Sequence, residues 1–184
     1  MRLYWDVFDS NAWACLAGSD QLVYLALLRQ KRSTNNGDLS LPIAVAKRCG
    51  VRSETTLAKS LRALCAVGLL AVTREGGSTK GGQRLPTLYR LTDYDTMEMP
   101  LKHIEASKPT NEWRAIKTIA MGADAIKKTE LLAATKALAR KTKSLLQNLE
   151  STTPKNEVVG PKTTPKNGVW PLGPLQKMEL EKTP

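Results

Sequence analysis

The sequence predicts a mainly α-helical chain with one small β-hairpin. Three observations carry that prediction. Between residues 10 and 67, apolar residues recur at helical spacing in stretches that open on Ser10, Ser19, Pro42 and Ser53. Two short alternating stretches, LLAVTRE (69–75) and TLYRLTDY (87–94), flank a glycine-rich segment and read as paired strands. After residue 150 proline, lysine and asparagine replace core-forming residues. An apolar fraction of 41% over 184 residues suits one packed domain with an arm and a tail.

The elements follow in order. Ser10 and Gly18 bracket NAWACLA, a short capped helix. Ser19 opens a helix over about 19–32, whose Leu22, Val23, Leu25, Ala26, Leu27 and Leu28 cover more than one face; such a helix belongs mid-core. STNNGD (33–38) is a turn cluster and DLSL (38–41) a short extended piece. Pro42 is placed for the start of a helix that runs to about Arg48, where Gly50 breaks it. Ser53 then begins a helix to about Val67, with Leu57, Leu61, Leu64 and Cys65 on one stripe and Gly68 as its stop. GGSTKGGQRLP is a flexible basic loop at the hairpin tip.

Helix, short strand, helix, turn, helix, hairpin is the order of a winged helix-turn-helix domain, expected over residues 1–95. CGVR forms the turn, with Val51 plugging the corner. The leucine stripe pins the second helix and leaves Arg52, Ser53, Thr55, Thr56, Lys59 and Arg62 as DNA-binding candidates on its free side. A recognition helix reads base edges near its N-terminus, where free N–H groups also favour a phosphate. Thr55 and Thr56 suit base edges or a thymine methyl; Arg52 and Lys59 suit guanine or phosphate. Lys80 and Arg84 extend the candidates onto the wing tip.

Charge supports a polyanionic partner. The formal net charge is +11, and residues 29–90 hold twelve Lys/Arg against three acids. The densest apolar run, LVYLALL (22–28), is far short of the ~20 residues of a membrane span, and no signal peptide is visible. Cys15, Cys49 and Cys65 show no metal-type spacing and read as reduced, mostly buried thiols in a cytosolic protein. His103 is the one histidine. No nucleophile-and-base set, metal cluster or phosphate loop is evident, so no enzyme activity and no cofactor are expected.

Residues 8–92 resemble winged helix DNA-binding proteins of bacterial prophages, plasmids and integrated elements. The resemblance lies in FDSNAWACLAGSDQLVYLALL, STNNGDLSLPIAVAKRCGVRSETTLAKSLRALCAVGLLAV and LYRLTDY. It implies specific binding to double-stranded DNA, as a replication initiator or a transcriptional regulator. The alternative is a protein-interaction adaptor that uses the winged helix and tail peptides to recruit partners.

Residues 96–110 read as a linker, and 111–150 as a helical arm interrupted at Gly122. Asn111 is a candidate cap, with Trp113, Ile116, Ile119 and Ala120 as the first apolar stripe. Leu131, Leu138 and Leu145 recur every seven residues, with Leu149 four further on and Thr135 and Thr142 in the alternate positions; a homodimer through 111–150 and an arm folded against the winged helix are the two candidates. Lys127, Lys128, Lys136, Arg140, Lys141 and Lys143 give this arm either a solvated face or a second phosphate contact. The tail, 151–184, is expected to be disordered. Its TTPKN recurs from 152 to 163. The repeats over 152–174 serve either a protein partner or the gene itself, where eleven codons are about 33 base pairs, some three turns of duplex. In that respect alone the tail resembles lambda-type phage initiators.

Overall fold

A computed structural model describes residues 4–79 and 81–151, with side chains to residue 146. The expected disordered tail and its TTPKN repeats lie outside the described residues. The chain is mainly helical: α1 (Trp5–Phe8), α2 (Asn11–Ala14), α3 (Gly18–Gln30), α4 (Ile43–Arg48), α5 (Glu54–Ala66) and α6 (Ile119–Ser151). Four strands form two small antiparallel pairs. The longer joins β1 (Leu70–Arg74) to β4 (Leu88–Leu91), with Leu70 opposite Leu91 and Val72 opposite Tyr89. The shorter joins β2 (Gly77–Ser78) to β3 (Arg84–Leu85). One compact unit spans Met1–Leu145; the described part of a second, from Leu146, is the end of α6.

Local chemistry sets the helix boundaries. Ser10 Oγ accepts the Trp13 N–H at 3.2 Å and starts α2. Ser53 Oγ accepts the Thr56 N–H at 3.0 Å and starts α5. α3 starts differently from expectation: Ala17 is its cap position, and the Asp20 carboxylate reaches back to accept the Ala17 N–H at 3.1 Å. Ser19 is therefore already helical. α4 and α5 close in the same way. Gly50 (φ 92) follows α4, with Gly50 N–H donating to Lys47 O and Val51 N–H to Ala46 O. Gly68 (φ 77) follows α5, with Gly68 N–H donating to Cys65 O and Leu69 N–H to Leu64 O. Both are the paired 6→1 and 5→2 bonds of a glycine-terminated helix, and Val51 and Leu69 then turn into the core.

The core is one cluster. Val23, Tyr24, Leu27 and Leu28 of α3 meet Leu57, Ala63 and Leu64 of α5, with Leu70 and Leu91 of the sheet behind. Each such leucine contributes about 1.5–3 kcal/mol on burial. Leu39 forms an antiparallel bridge to Tyr89, so the expected short extended piece adds a third strand position beside β4.

Four expectations need correcting. Residues 96–110 do not run free as a linker. Thr96 pairs with Ser107, Met99 with Ile104, and Ile104 is buried. Asn36 secures this return: its Oδ1 accepts the Leu91 N–H at 2.8 Å, and its Nδ2 lies within 3.2 Å of Leu91 O, Tyr94 O, Asp95 O and Thr96 Oγ1. Lys102 pairs with Asp38.

Residues beyond 110 also join the body. Trp113 is buried in the main cluster within a 3-10 turn, Glu112–Ala115. Asn111 stands at the cap position with φ 46 and makes no side-chain capping bond. Gly122 does not interrupt the arm. It lies inside α6, buried, where a Cβ would sit 2.4 Å from Cys15 Sγ. A larger residue there would collide with Cys15, the C-cap of α2. Finally, the hairpin tip is partly paired through β2 and β3 rather than wholly loop.

No helix among the described residues is long and apolar enough to cross a membrane.

Candidate nucleic-acid interface

The turn between α4 and α5 presents cations on both sides. Lys47 and Arg48 end α4, and Arg52 precedes α5; all three are exposed. Val51 between them is buried, so the corner is fixed while the charged residues stay out. Along α5, Leu57, Ser60, Ala63 and Leu64 are buried and Leu61 is half-buried against the cluster. That pinning leaves Arg52, Ser53, Glu54, Thr55, Ala58 and Lys59 exposed.

The hydroxyls are less free than the sequence implies. Ser53 Oγ is the helix cap and also lies 2.8 Å from Thr56 Oγ1. Thr56 is half-buried and lines a cavity of about 250 Å³ with Ser60, Ile126 and Glu130. Thr55 is the candidate hydroxyl left fully outward.

α6 decides the rest of the surface. Gly122 is buried, and Ile126 packs on the core cluster. One turn on, Glu130 Oε1 lies 3.7 Å from Lys59 Nζ. Beyond it a groove of about 660 Å³ opens between the two helices, lined by Lys59, Arg62, Lys127, Leu131, Ala134 and Ala137 among others. Thr56, Lys59 and Arg62 therefore do not lie on an open face together with Arg52 and Thr55, as the leucine stripe alone suggests. They share walls with α6. Lys59 keeps 58% of its side chain exposed, whereas Arg62 is half-buried, its Nε buried without a hydrogen-bond partner among the described residues.

Arg84 is exposed in β3, and Lys80 lies outside the described residues. Not all cations are available. Arg90 is mostly buried and pairs with Glu112 at 3.3 Å, and Lys31 sits 4.0 Å over the Tyr94 ring. Lys127, expected on the arm either as a solvated cation or as a second phosphate contact, shares the groove with Arg62. No local signal brings it to Arg62; the helix crossing at Gly122 does.

Burial pushes the Cys65 thiol up to about 11, with Glu112 adding to the rise, and raises Cys15 as well. Neither is a ready thiolate at neutral pH. Among the described residues no group of three His, Cys, Asp or Glu side chains could hold a metal ion. Comparison with protein-family models, curated proteins and solved structures finds no significant match.

Proposed function

We propose that this chain binds double-stranded DNA with sequence preference, through α5 and the turn before it, as a winged helix-turn-helix protein of a mobile element. Replication initiation and transcriptional control are the two roles such a module serves. The single observation that carries the reading is the α4–turn–α5 corner. It buries Val51, holds α5 by Leu57 and Leu64, and leaves a Ser53-capped N-terminus flanked by Arg48 and Arg52. A helix start with free N–H groups and nearby cations suits a phosphate, and Thr55 and Ala58 suit a groove floor. The antiparallel hairpin with exposed Arg84 suits the neighbouring backbone.

Glu130 modulates this surface. Its pair with Lys59 is solvent-exposed, and such pairs contribute at most about 1 kcal/mol. A phosphate can therefore displace Glu130 from Lys59 at small cost.

The groove between α5 and α6 is the observation that favours the adaptor reading, because Leu131, Ala134 and Ala137 give it an apolar wall. Binding-site selection from random duplexes tests the first reading, followed by titration at rising salt. The expected outcome is an enriched motif, an affinity that falls by orders of magnitude over a few-fold rise in salt, and loss of binding in Arg52→Ala. Absence of any enriched duplex at low salt refutes it, and salt-insensitive capture of a protein supports the adaptor.

A further inference from the structure

We infer that the groove between α5 and α6 takes an amphipathic anion, a compact apolar body with one oxyanion head. The inference does not rest on DNA binding. It starts from what lines the groove. Leu131, Ala134 and Ala137 of α6 supply an apolar wall, and Leu131 keeps 67% of its surface exposed. Lys59, Arg62 and Lys127 share the lining with one carboxylate, Glu130. Apolar walls with a few convergent polar groups are the usual make-up of a small-molecule site.

The charges set the polar end of the ligand. Three cations against one carboxylate favour an anion over a cation. Lys59 is paired with Glu130 at 3.7 Å. Neither Arg62 nor Lys127 has a carboxylate partner among the described residues. Arg62 is half-buried, and its Nε is buried without a hydrogen-bond partner. A guanidinium partly withdrawn from water and left unpaired is costly. Its remaining N–H groups form a fork that an oxyanion can fill.

The size sets the rest. The groove holds about 660 Å³, inside the ~300–1,000 Å³ range of small-molecule sites. Its apolar wall from Leu131 to Ala137 is about 9 Å long at ~1.5 Å per residue. A protein helix with side chains is about 10–12 Å across and needs a trough open at both ends. Here Lys59 and Glu130, which also line the smaller cavity beside the groove, stand across one end. One ring system or one short acyl chain fits that space; a helix from a partner does not.

If α5 also binds DNA, phosphate and ligand draw on the same Lys59, and each weakens the other. That consequence fails with the DNA reading, whereas direct binding of the anion does not.

Isothermal titration calorimetry of the full chain with octanoate and with octyl phosphate tests the site. At least one should bind saturably, one per chain, at sub-millimolar concentration, and the tighter of the two names the head group. 1-Octanol and octyltrimethylammonium, with the same chain and no negative charge, should bind about ten-fold more weakly or not at all. Ala134→Trp fills the groove from an exposed position and should abolish binding with an unchanged melting temperature. Lys127→Gln, also exposed, should weaken the anion about three-fold and leave octanol unchanged. Arg62→Gln should weaken it about ten-fold, with its melting temperature followed alongside. Lys136→Gln, an exposed cation outside the groove, should change nothing. No saturable binding of either anion overturns the inference. So does octanol or the cation binding as tightly as the anion, anion binding that survives Ala134→Trp, or an affinity that neither Lys127→Gln nor Arg62→Gln lowers.

Discussion

α5 and the outer half of α6 are written in the same alphabet, leucine on one stripe and cations elsewhere, yet they differ in every energetic respect. Leu57 and Leu64 of α5 are inside the main cluster, and Leu64 has no exposed surface. Leu131, Leu138 and Leu145 of α6 are more than half exposed. The first stripe meets α3 and the sheet; of the second, Leu131 borders the groove beside Lys59 and Arg62, while Leu138 and Leu145 are exposed outside it. Amphipathicity therefore states that a face must be covered, and only the neighbours decide by what.

The largest expected effect separates the two stripes directly. Leu64→Ala should lower the stability of the body by about 2–5 kcal/mol, through lost burial and the cavity left behind. Leu138→Ala should change monomer stability by less than about 0.5 kcal/mol. Denaturant unfolding at a concentration where the chain is monomeric measures both; similar losses would break the comparison.

Acidification should act on the body and leave the outer part of α6 untouched. Asp93 lies beside Tyr24, whose hydroxyl donates to Oδ2 at 3.3 Å, while Oδ1 is buried without a partner. Burial pushes the Asp93 carboxyl up to about 6 from an ordinary 3.8. Because the folded state holds this proton more tightly than the unfolded state, stability from this group is greatest below about pH 4. It falls as pH climbs through 4 to 6, and at neutral pH the ionised carboxylate costs about 3 kcal/mol. Asp93→Asn should raise the melting temperature at pH 7.5 and remove the gain that wild type shows between pH 7 and 5. A wild-type melting temperature that falls over that interval, with Asn and Asp indistinguishable, would remove this account.

The anchor between the two regions can be tested next. Gly122→Ala should cost about 1–3 kcal/mol, although alanine favours a helix interior by nearly 1 kcal/mol over glycine. Its Cβ would meet Cys15 Sγ at 2.4 Å. Cys15→Ala in the same chain should recover most of that loss, which a simple propensity effect would not allow.

The smallest expected effect concerns the candidate interface. Glu130→Gln should strengthen duplex binding two- to five-fold, an effect of about 1 kcal/mol or less, by releasing Lys59; Lys59→Ala should weaken it and make the Glu130 change neutral. Titration of the single and double variants on one selected duplex measures the coupling. Independent effects would mean that the 3.7 Å pair plays no part.

Legibility follows the range of the interaction that makes each feature. Ser10, Ser53, Gly50 and Gly68 act within a few residues, and their signals are in the local sequence. β1 and β4 alternate plainly. The Asn36 network reaches 55 to 60 residues along the chain, so residues 96–110 carry no local sign that they fold back. Gly122 shows the same difficulty in reverse. A glycine in a helical stretch reads as a breaker, and only the approach of Cys15 shows that it is a contact. At the interface Arg52 and Thr55 were legible because the turn and stripe fix them, whereas the crowding of Thr56 and Arg62 comes from a helix more than sixty residues away.

The sequence by itself determined where α2 and α5 start, where α4 and α5 stop, which face of α5 is buried, and that the chain is strongly basic. Those properties depend on caps, glycines, periodicity and charge count, all short-range or additive. Tertiary structure alone decided that α6 runs beside α5, which cations share a surface, and which leucines remain uncovered. Such features arise where distant segments compete for one space, and that competition has no counterpart in local spacing.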